Sequence, residues 1–292
     1  MTAIWLPLTL LCALALATSD ALTKKALPGR DEYLVLWLRL LLALPFLLIP
    51  LAFIPIPDLG PDFLPTVLLA LPLEALAAIC YIRALKLSPL SLTLPFLALT
   101  PVFLLVVPFL VLGERISAGG AIGILLVAIG AYLLHFDKAR CNWLEPFRAI
   151  GRERGSLYMI LVALIYSVTS TLGKKAIGAS SPLFFAACYF PALTLILTPP
   201  ALRGGIISGP KPAATRLLRA MLLPACCYGV MVLTHMTAIS IAPVAYMISV
   251  KRLSLLIGIY YGHRLFGEPG IRERALGTAV MIAGVTLIAW AP

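Results

Sequence analysis

Five residues of this 292-residue chain are written twice. Pro89, Gly113, Glu114, Gly123 and Gly130 return 154 positions later as Pro243, Gly267, Glu268, Gly277 and Gly284. Nearer the N-terminus, Thr18-Ser19 and Lys24-Lys25-Ala26 return 151 and 150 positions on, as Thr169-Ser170 and Lys174-Lys175-Ala176. Two copies of one unit are therefore expected, residues 1–136 and 156–292, joined by a connector over 137–155. The unit is apolar: 61% of the residues are hydrophobic and 12% charged, against about a quarter charged in soluble domains. With a mean hydropathy of +1.03, the chain reads as an all-α membrane protein.

Segments long enough to cross hydrocarbon, about 20 residues at helical rise, run over 4–22, 33–54, 63–85, 90–112 and 118–136 in the first half. The second half supplies 157–173, 182–198, 217–239, 243–266 and 275–290. They are too long and unalternating for barrel strands, and open sheet edges would leave amides unsatisfied in lipid. Ten transmembrane helices are expected, five per half. The first lacks a basic leading region and a cleavage pattern and carries a copy of the repeat, so it reads as a structural helix. Because five is odd, the second copy starts on the opposite side of the membrane. The expected architecture is two inverted five-helix repeats around a central cavity, an arrangement that places a binding site near the bilayer midplane.

Lys and Arg crowd the connections after odd segments, from Lys24, Lys25 and Arg30 to Arg264, Arg272 and Arg274. Those after even segments hold only Arg115, Lys174 and Lys175. The positive-inside rule then puts the odd connections in the cytoplasm and both termini outside. Part of the net charge of +11 is thus topological and suits anionic lipid headgroups; it does not argue for nucleic acid. The cysteines (Cys12, Cys80, Cys141, Cys188, Cys226, Cys227) lack metal-ligand or CxxC spacing and read as packing residues. No cofactor or metal motif is present.

Gly113 and Gly267 are expected to end segments 4 and 9 in a left-handed turn, with Glu114 and Glu268 near the positive ends of segments 5 and 10. The pairs Gly123/Gly130 and Gly277/Gly284, seven apart, line one face of segments 5 and 10, where a backbone from the same chain or a dimer partner can approach. Pro7, Pro45, Pro72, Pro95, Pro101, Pro108, Pro191 and Pro224 should weaken or kink their helices.

The two five-segment halves, the turn Ala84-Leu85-Lys86-Leu87-Ser88-Pro89, the repeated Gly-Glu and the glycine-faced segments 5 and 10 together resemble the EamA-like branch of the drug/metabolite transporter superfamily. The resemblance covers nearly the whole chain. It implies a multi-pass protein of the cell membrane, such as a bacterial inner membrane, that carries small metabolites by alternating access. It also implies cytoplasmic termini, the reverse of the charge count.

Charges at membrane depth cost about 2.5–3.5 kcal/mol each on insertion scales unless paired or hydrated, so they mark the candidate site. Asp20, Arg39, Glu74, Lys251 and Arg252 qualify; Arg83, Lys86, Lys24, Lys25, Lys174 and Lys175 can snorkel to an interface. Lys251 and Arg252 stand where the first half has Leu97 and Ala98. Adjacent cations repel, and a bound carboxylate or phosphate resolves the repulsion. They also resemble the Lys-Arg of the ninth helix in phosphate-binding translocators. Internal pairing with Glu74 or Asp20 is the alternative. Glu74 shares a helix side with Ala70, Ala77, Ala78 and Tyr81, and at the offset of 154 Glu74 and Tyr81 become Tyr228 and His235. Glu74 could exchange a coupling proton or simply pair with Arg39. Asp20 is a second coupling candidate or a helix-end residue facing water. His235 could touch substrate or bond a backbone carbonyl, and His135 and His263 lie near the surface.

The expected function is secondary active transport of a small anion-bearing metabolite. Substrate would meet Lys251, Arg252, Arg39, Tyr81, Tyr228 and His235, with Glu74 and Asp20 for coupling. Two other readings use the same fold: a flippase for a phosphate-linked lipid, and a proton-coupled exporter of cationic drugs. Expected partners are a small-molecule or lipid-linked substrate and membrane lipids, with the chain a monomer or homodimer. No nucleophile-base or metal motif supports an enzyme.

Overall fold

A computed structural model describes residues 4–26, 30–87, 94–134, 154–203, 211–267 and 275–290. Pro89, Glu268, His135, Cys141 and nearly all of the 137–155 connector lie outside the described residues. No strand occurs among those described. The helices are α1 (Trp5–Ala26), α2 (Glu32–Leu48, continued by a 3-10 turn Ile49–Ala52), α3 (Phe63–Leu87), α4 (Leu99–Phe103), α5 (Val107–Leu112) and α6 (Ala118–Leu134). They continue as α7 (Arg154–Gly178), α8 (Pro182–Arg203), α9 (Lys211–Ile241), α10 (Val244–Lys251), α11 (Ser254–Phe266) and α12 (Ala275–Trp290).

Among the described residues, seven stretches are long and apolar enough to cross a membrane: Trp5–Ala26, Tyr33–Ala52, Phe63–Tyr81, Arg154–Gly178, Pro182–Arg203, Thr215–Ile241 and Val244–Phe266. Shorter apolar helices, Phe96–Leu112, Ala118–Leu134 and Leu276–Trp290, accompany them. Large apolar side chains such as Leu195, Leu110 and Leu68 stand exposed on the outside, as lipid-facing residues do. The chain is a multi-pass helical membrane protein.

Two expected helices are not continuous. The described part of segment 4 opens with a 3-10 turn, Leu94–Ala98, and breaks again between α4 and α5. Pro95, Pro101 and Pro108 explain this, since each removes an amide donor; Pro108 sits in the first turn of α5. Segment 9 breaks at Arg252-Leu253, where no Pro or Gly occurs. The Arg252 amide is shared between the Ile248 and Ser249 carbonyls, and Leu253 bonds back only to Val250. That tightening is a local 3-10 turn. Pro45, Pro72, Pro191 and Pro224, by contrast, lie inside unbroken helices. The Pro224 carbonyl accepts a bond from the Ser19 hydroxyl (2.8 Å), tying α1 to α9. Gly113 (φ 69°) and Gly267 (φ 66°) end α5 and α11 in left-handed turns, as expected.

α1 packs along α9, α3 along α7, and α6 along α12, while α2 lies against α8 and α9. α1 also meets α10 and α11, and the pieces of segment 4 meet α7. The glycine faces belong to the α6–α12 contact, within one chain. A Cβ on Gly284 would stand 2.6 Å from the Gly123 carbonyl oxygen, and one on Gly277 2.8 Å from the Gly130 oxygen. At one end of the bundle the connections after segments 2 and 6 meet. The Gly60 amide donates to the Ala179 carbonyl (2.9 Å), and Lys175 lies 3.5 Å from Asp62.

Since the obstructing atoms at Gly277 and Gly284 are backbone, Gly284→Ala and Gly277→Ala should each destabilise by about 1–3 kcal/mol. Gly119→Ala, which meets open space, should be neutral or slightly stabilising, as Ala is in a helix. Thermal melting of the detergent-solubilised protein checks this; equal melting temperatures for all three would refute close α6–α12 approach.

Candidate functional site

Ionisable and tyrosine side chains from α1, α2, α3, α7, α8, α9 and segment 9 lie near one another. Arg39 on α2 donates from Nη1 to Asp20 Oδ1 on α1 at 2.6 Å. The arginine is the buried member, with 14% of its side chain exposed against 57% for Asp20. Its guanidinium carbon lies 4.7 Å from the centre of the Tyr228 ring, a cation–π arrangement. Glu74 therefore does not pair with Arg39, because Asp20 occupies that position. The Glu74 carboxylate instead has the Thr169 hydroxyl of α7 within reach and lies in the field of Lys251.

Lys251 Nζ lies 3.2 Å from His235 Nδ1. An ammonium only donates, so Nδ1 accepts and the imidazole proton sits on Nε2. His235 thus lies against the lysine through Nδ1. Arg252 is different. Tyr166 and Tyr81 are the neighbours whose fields it feels, with no carboxylate among them. Its Nε is buried without a hydrogen-bond partner, as is Arg39 Nε. Lys251 is the last residue of α10 and Arg252 the first of the break in segment 9, so the two successive cations stand where the helix ends.

Tyr81 lies in the fields of Asp20, Arg39 and Arg252, and Tyr228 in those of Arg39, Glu74 and Asp20. All of the residues expected at the site from sequence thus belong to one electrostatic cluster. Tyr166, Thr169 and Tyr189 were not singled out. Tyr166 couples to Glu74, Tyr81, Tyr228 and Arg252; Tyr189 couples to Glu74, Tyr228 and Tyr166. Thr169 could have been found, since its repeat partner Thr18 is equally placed and bonds Tyr261 (3.0 Å). Of the small residues beside Glu74, Ala70 and Ala77 are fully buried, so that face serves close helix packing. Glu74, Ala78 and Tyr81 keep partial accessibility.

Glu114 serves an element other than the one expected. Its Oε2 accepts from the Val244 amide at the start of α10 (2.9 Å), and its Oε1 from Lys174 Nζ of α7 (2.5 Å). Lys174 also donates to the Ala242 carbonyl (2.6 Å). His263 is exposed. Among the described residues, Cys12, Cys80, Cys188, Cys226 and Cys227 form no disulfide.

A multi-pass helical bundle with a charged, partly accessible interior is the build of a membrane transporter. The sequence profile of the EamA-like transporter family matches residues 3–136 and again 153–290, and the chain belongs to that family. No curated protein matches the sequence significantly. A protein of known crystal structure, 15% identical, covers 96% of this chain and 96% of its own with a TM-score of 0.74, a likeness of fold.

In a double-mutant cycle on thermal unfolding, Asp20→Asn and Arg39→Met should couple by about 1 kcal/mol, a modest value because Asp20 is largely exposed. Arg39→Met should be the costlier single change, since it also loses the Tyr228 face. Fully additive losses would mean that the pair does not form.

Proposed function

We propose that this family member is a secondary transporter of a small metabolite with an anionic group, working by alternating access between two inverted five-helix halves. Ten spans fit the seven long apolar stretches together with the three shorter ones. The helix contacts fit a twofold relation of the halves: exchanging each segment with the one five places on maps the pairs 1–8 and 3–6 onto each other and returns 5–10 to itself; the odd number of segments per half would then invert them. The 3-10 turn of segment 4 ends at Ala98, the repeat counterpart of Arg252 where segment 9 breaks. Discontinuous helices at equivalent places are a common way to expose backbone groups at a midplane site.

The observation that carries the substrate class is Arg252. Asp20 answers Arg39 and Glu74 lies in the field of Lys251, which leaves half-buried Arg252 with its Nε–H unpartnered and, among the described residues, tyrosines rather than a carboxylate beside it. A carboxylate or phosphate entering between Arg252, Tyr81 and Tyr166 neutralises it and can take two parallel bonds. Arg39 and Lys251 add attraction, Tyr228 and His235 complete the walls, and Tyr166 joins the set. Glu74 would couple transport to protons: protonated, it releases Lys251 to the substrate. Asp20 would act as an exposed counterion that an incoming anion displaces from Arg39. No chemical step on the substrate is proposed. By the positive-inside rule the connections after odd segments would face the cytoplasm.

Full-length protein in detergent, screened by thermal stabilisation against small carboxylates and phosphate esters, tests the reading. An acid present at 100 times its Kd should stabilise by about 2.7 kcal/mol. Arg252→Gln should weaken its binding tenfold or more, removing about 1.4 kcal/mol of that stabilisation. Undiminished stabilisation in both Arg252→Gln and Lys251→Gln would refute the anion site. Stabilisation by cationic drugs alone, lost in Glu74→Gln, would favour drug export. Loss of lipid scrambling in Lys251→Ala with no soluble ligand would favour the flippase.

A further inference from the structure

α10 is a rod of eight residues with a hinge at each end. Pro243 precedes it without donating an amide, and the Arg252-Leu253 break follows it. Every residue from Val244 to Val250 is buried. Eight residues span about 12 Å at helical rise, so whatever fixes the first residue also sets the position of Lys251 and Arg252.

Three bonds fix it. The Glu114 carboxylate uses one oxygen on the Val244 amide and the other on Lys174, while Lys174 also holds the Ala242 carbonyl. A few residues on, Ser117 Oγ lies 3.2 Å from the Tyr246 hydroxyl, so the connection between α5 and α6 grips the rod twice. Glu114 and Lys174 are 15% and 21% exposed, and Ala242, Val244 and Ala245 are buried behind them. This is the same end at which Gly60 meets Ala179 and Lys175 meets Asp62. Charge-assisted bonds in that half-buried setting are strong for their number, yet one displaced ammonium breaks two of them.

We propose that Glu114 and Lys174 form a latch that holds this end of the bundle shut and, through α10, act as positioning residues for Lys251 and Arg252. Releasing the latch lets the rod swing about its two hinges, which opens a path from this end and moves the cation pair in the same step. Lys24, the repeat counterpart of Lys174, lies over the Phe266 ring at 4.7 Å at the opposite end. The purpose of the latch rests on the alternating-access reading, but its existence is tested without any substrate.

Ser249, wholly buried on α10, is the reporter. In a full-length protein depleted of native cysteines, Ser249→Cys is labelled in lipid vesicles by a membrane-impermeant thiol reagent added to either face. Labelling from the latched face should be slow, should accelerate tenfold or more in Glu114→Gln and Lys174→Met, and should stay slow in Lys174→Arg, which keeps the cation. If Glu114→Gln does not fold, Lys174→Met decides alone, because it leaves Glu114 on Val244. Rates within twofold of the parent, or equal acceleration from both faces, would overturn the latch. Failure of the acid screen with a positive labelling result would remove the anion site and leave the latch standing.

Discussion

Hydrocarbon cannot solvate charge, so each charged side chain at depth must be answered by another or be reached by water. This requirement organises the interior. Asp20 stands over Arg39 and a tyrosine ring supports the guanidinium from another side; Glu74 and His235 face Lys251. The partners come from different helices in each case, so the charges also fix which helices face inward. The apolar remainder has no such preference, because a leucine is as content against lipid as against another helix.

Packing in such a bundle relies on shape, and glycine supplies it. Gly123, Gly130, Gly277 and Gly284 bring the α6 and α12 backbones close enough that a methyl group would overlap a carbonyl. α1 and α9 are joined instead by the Ser19 hydroxyl on the Pro224 carbonyl and by the Cys12 thiol 3.5 Å from the Met231 carbonyl. Between these tight seams, segments 4 and 9 are the spans that break into shorter helices.

The ends of helices were legible where a residue type forces them. Gly113 and Gly267 stop α5 and α11 at the expected residues, and the starts at Phe63, Ala118 and Pro182 agree. Helices reach beyond the apolar runs in α1, α7, α8 and α9, since Lys24, Lys25, Arg203 and Lys211 are good helix formers that hydropathy discounts. The break at Arg252 was not legible: a 3-10 turn preserves composition and has no marker residue here. The site was legible as a set of costly residues but not as pairs. Asp20 and Arg39 lie 19 positions apart on successive helices, and nothing in their spacing says which carboxylate the arginine takes. Tyr166 escaped notice because tyrosine is common in apolar helices and gains meaning only from what faces it.

The clasp at Glu114 and the charges at Lys251 and Arg252 stand far apart in sequence, by 137 and 138 positions, yet one short helix connects them. The repeat explains why a Gly-Glu follows segment 4: the glycine turns the chain out of the helix, and the next residue is delivered to the start of segment 9 in the other half. A carboxylate there gains from the amide of Val244 and the ammonium of Lys174 at once. It joins the two halves where they must separate if the site is to be reached from that end. Punctuation of one helix and attachment of another are thus the same two residues, and the cation pair inherits its position from them.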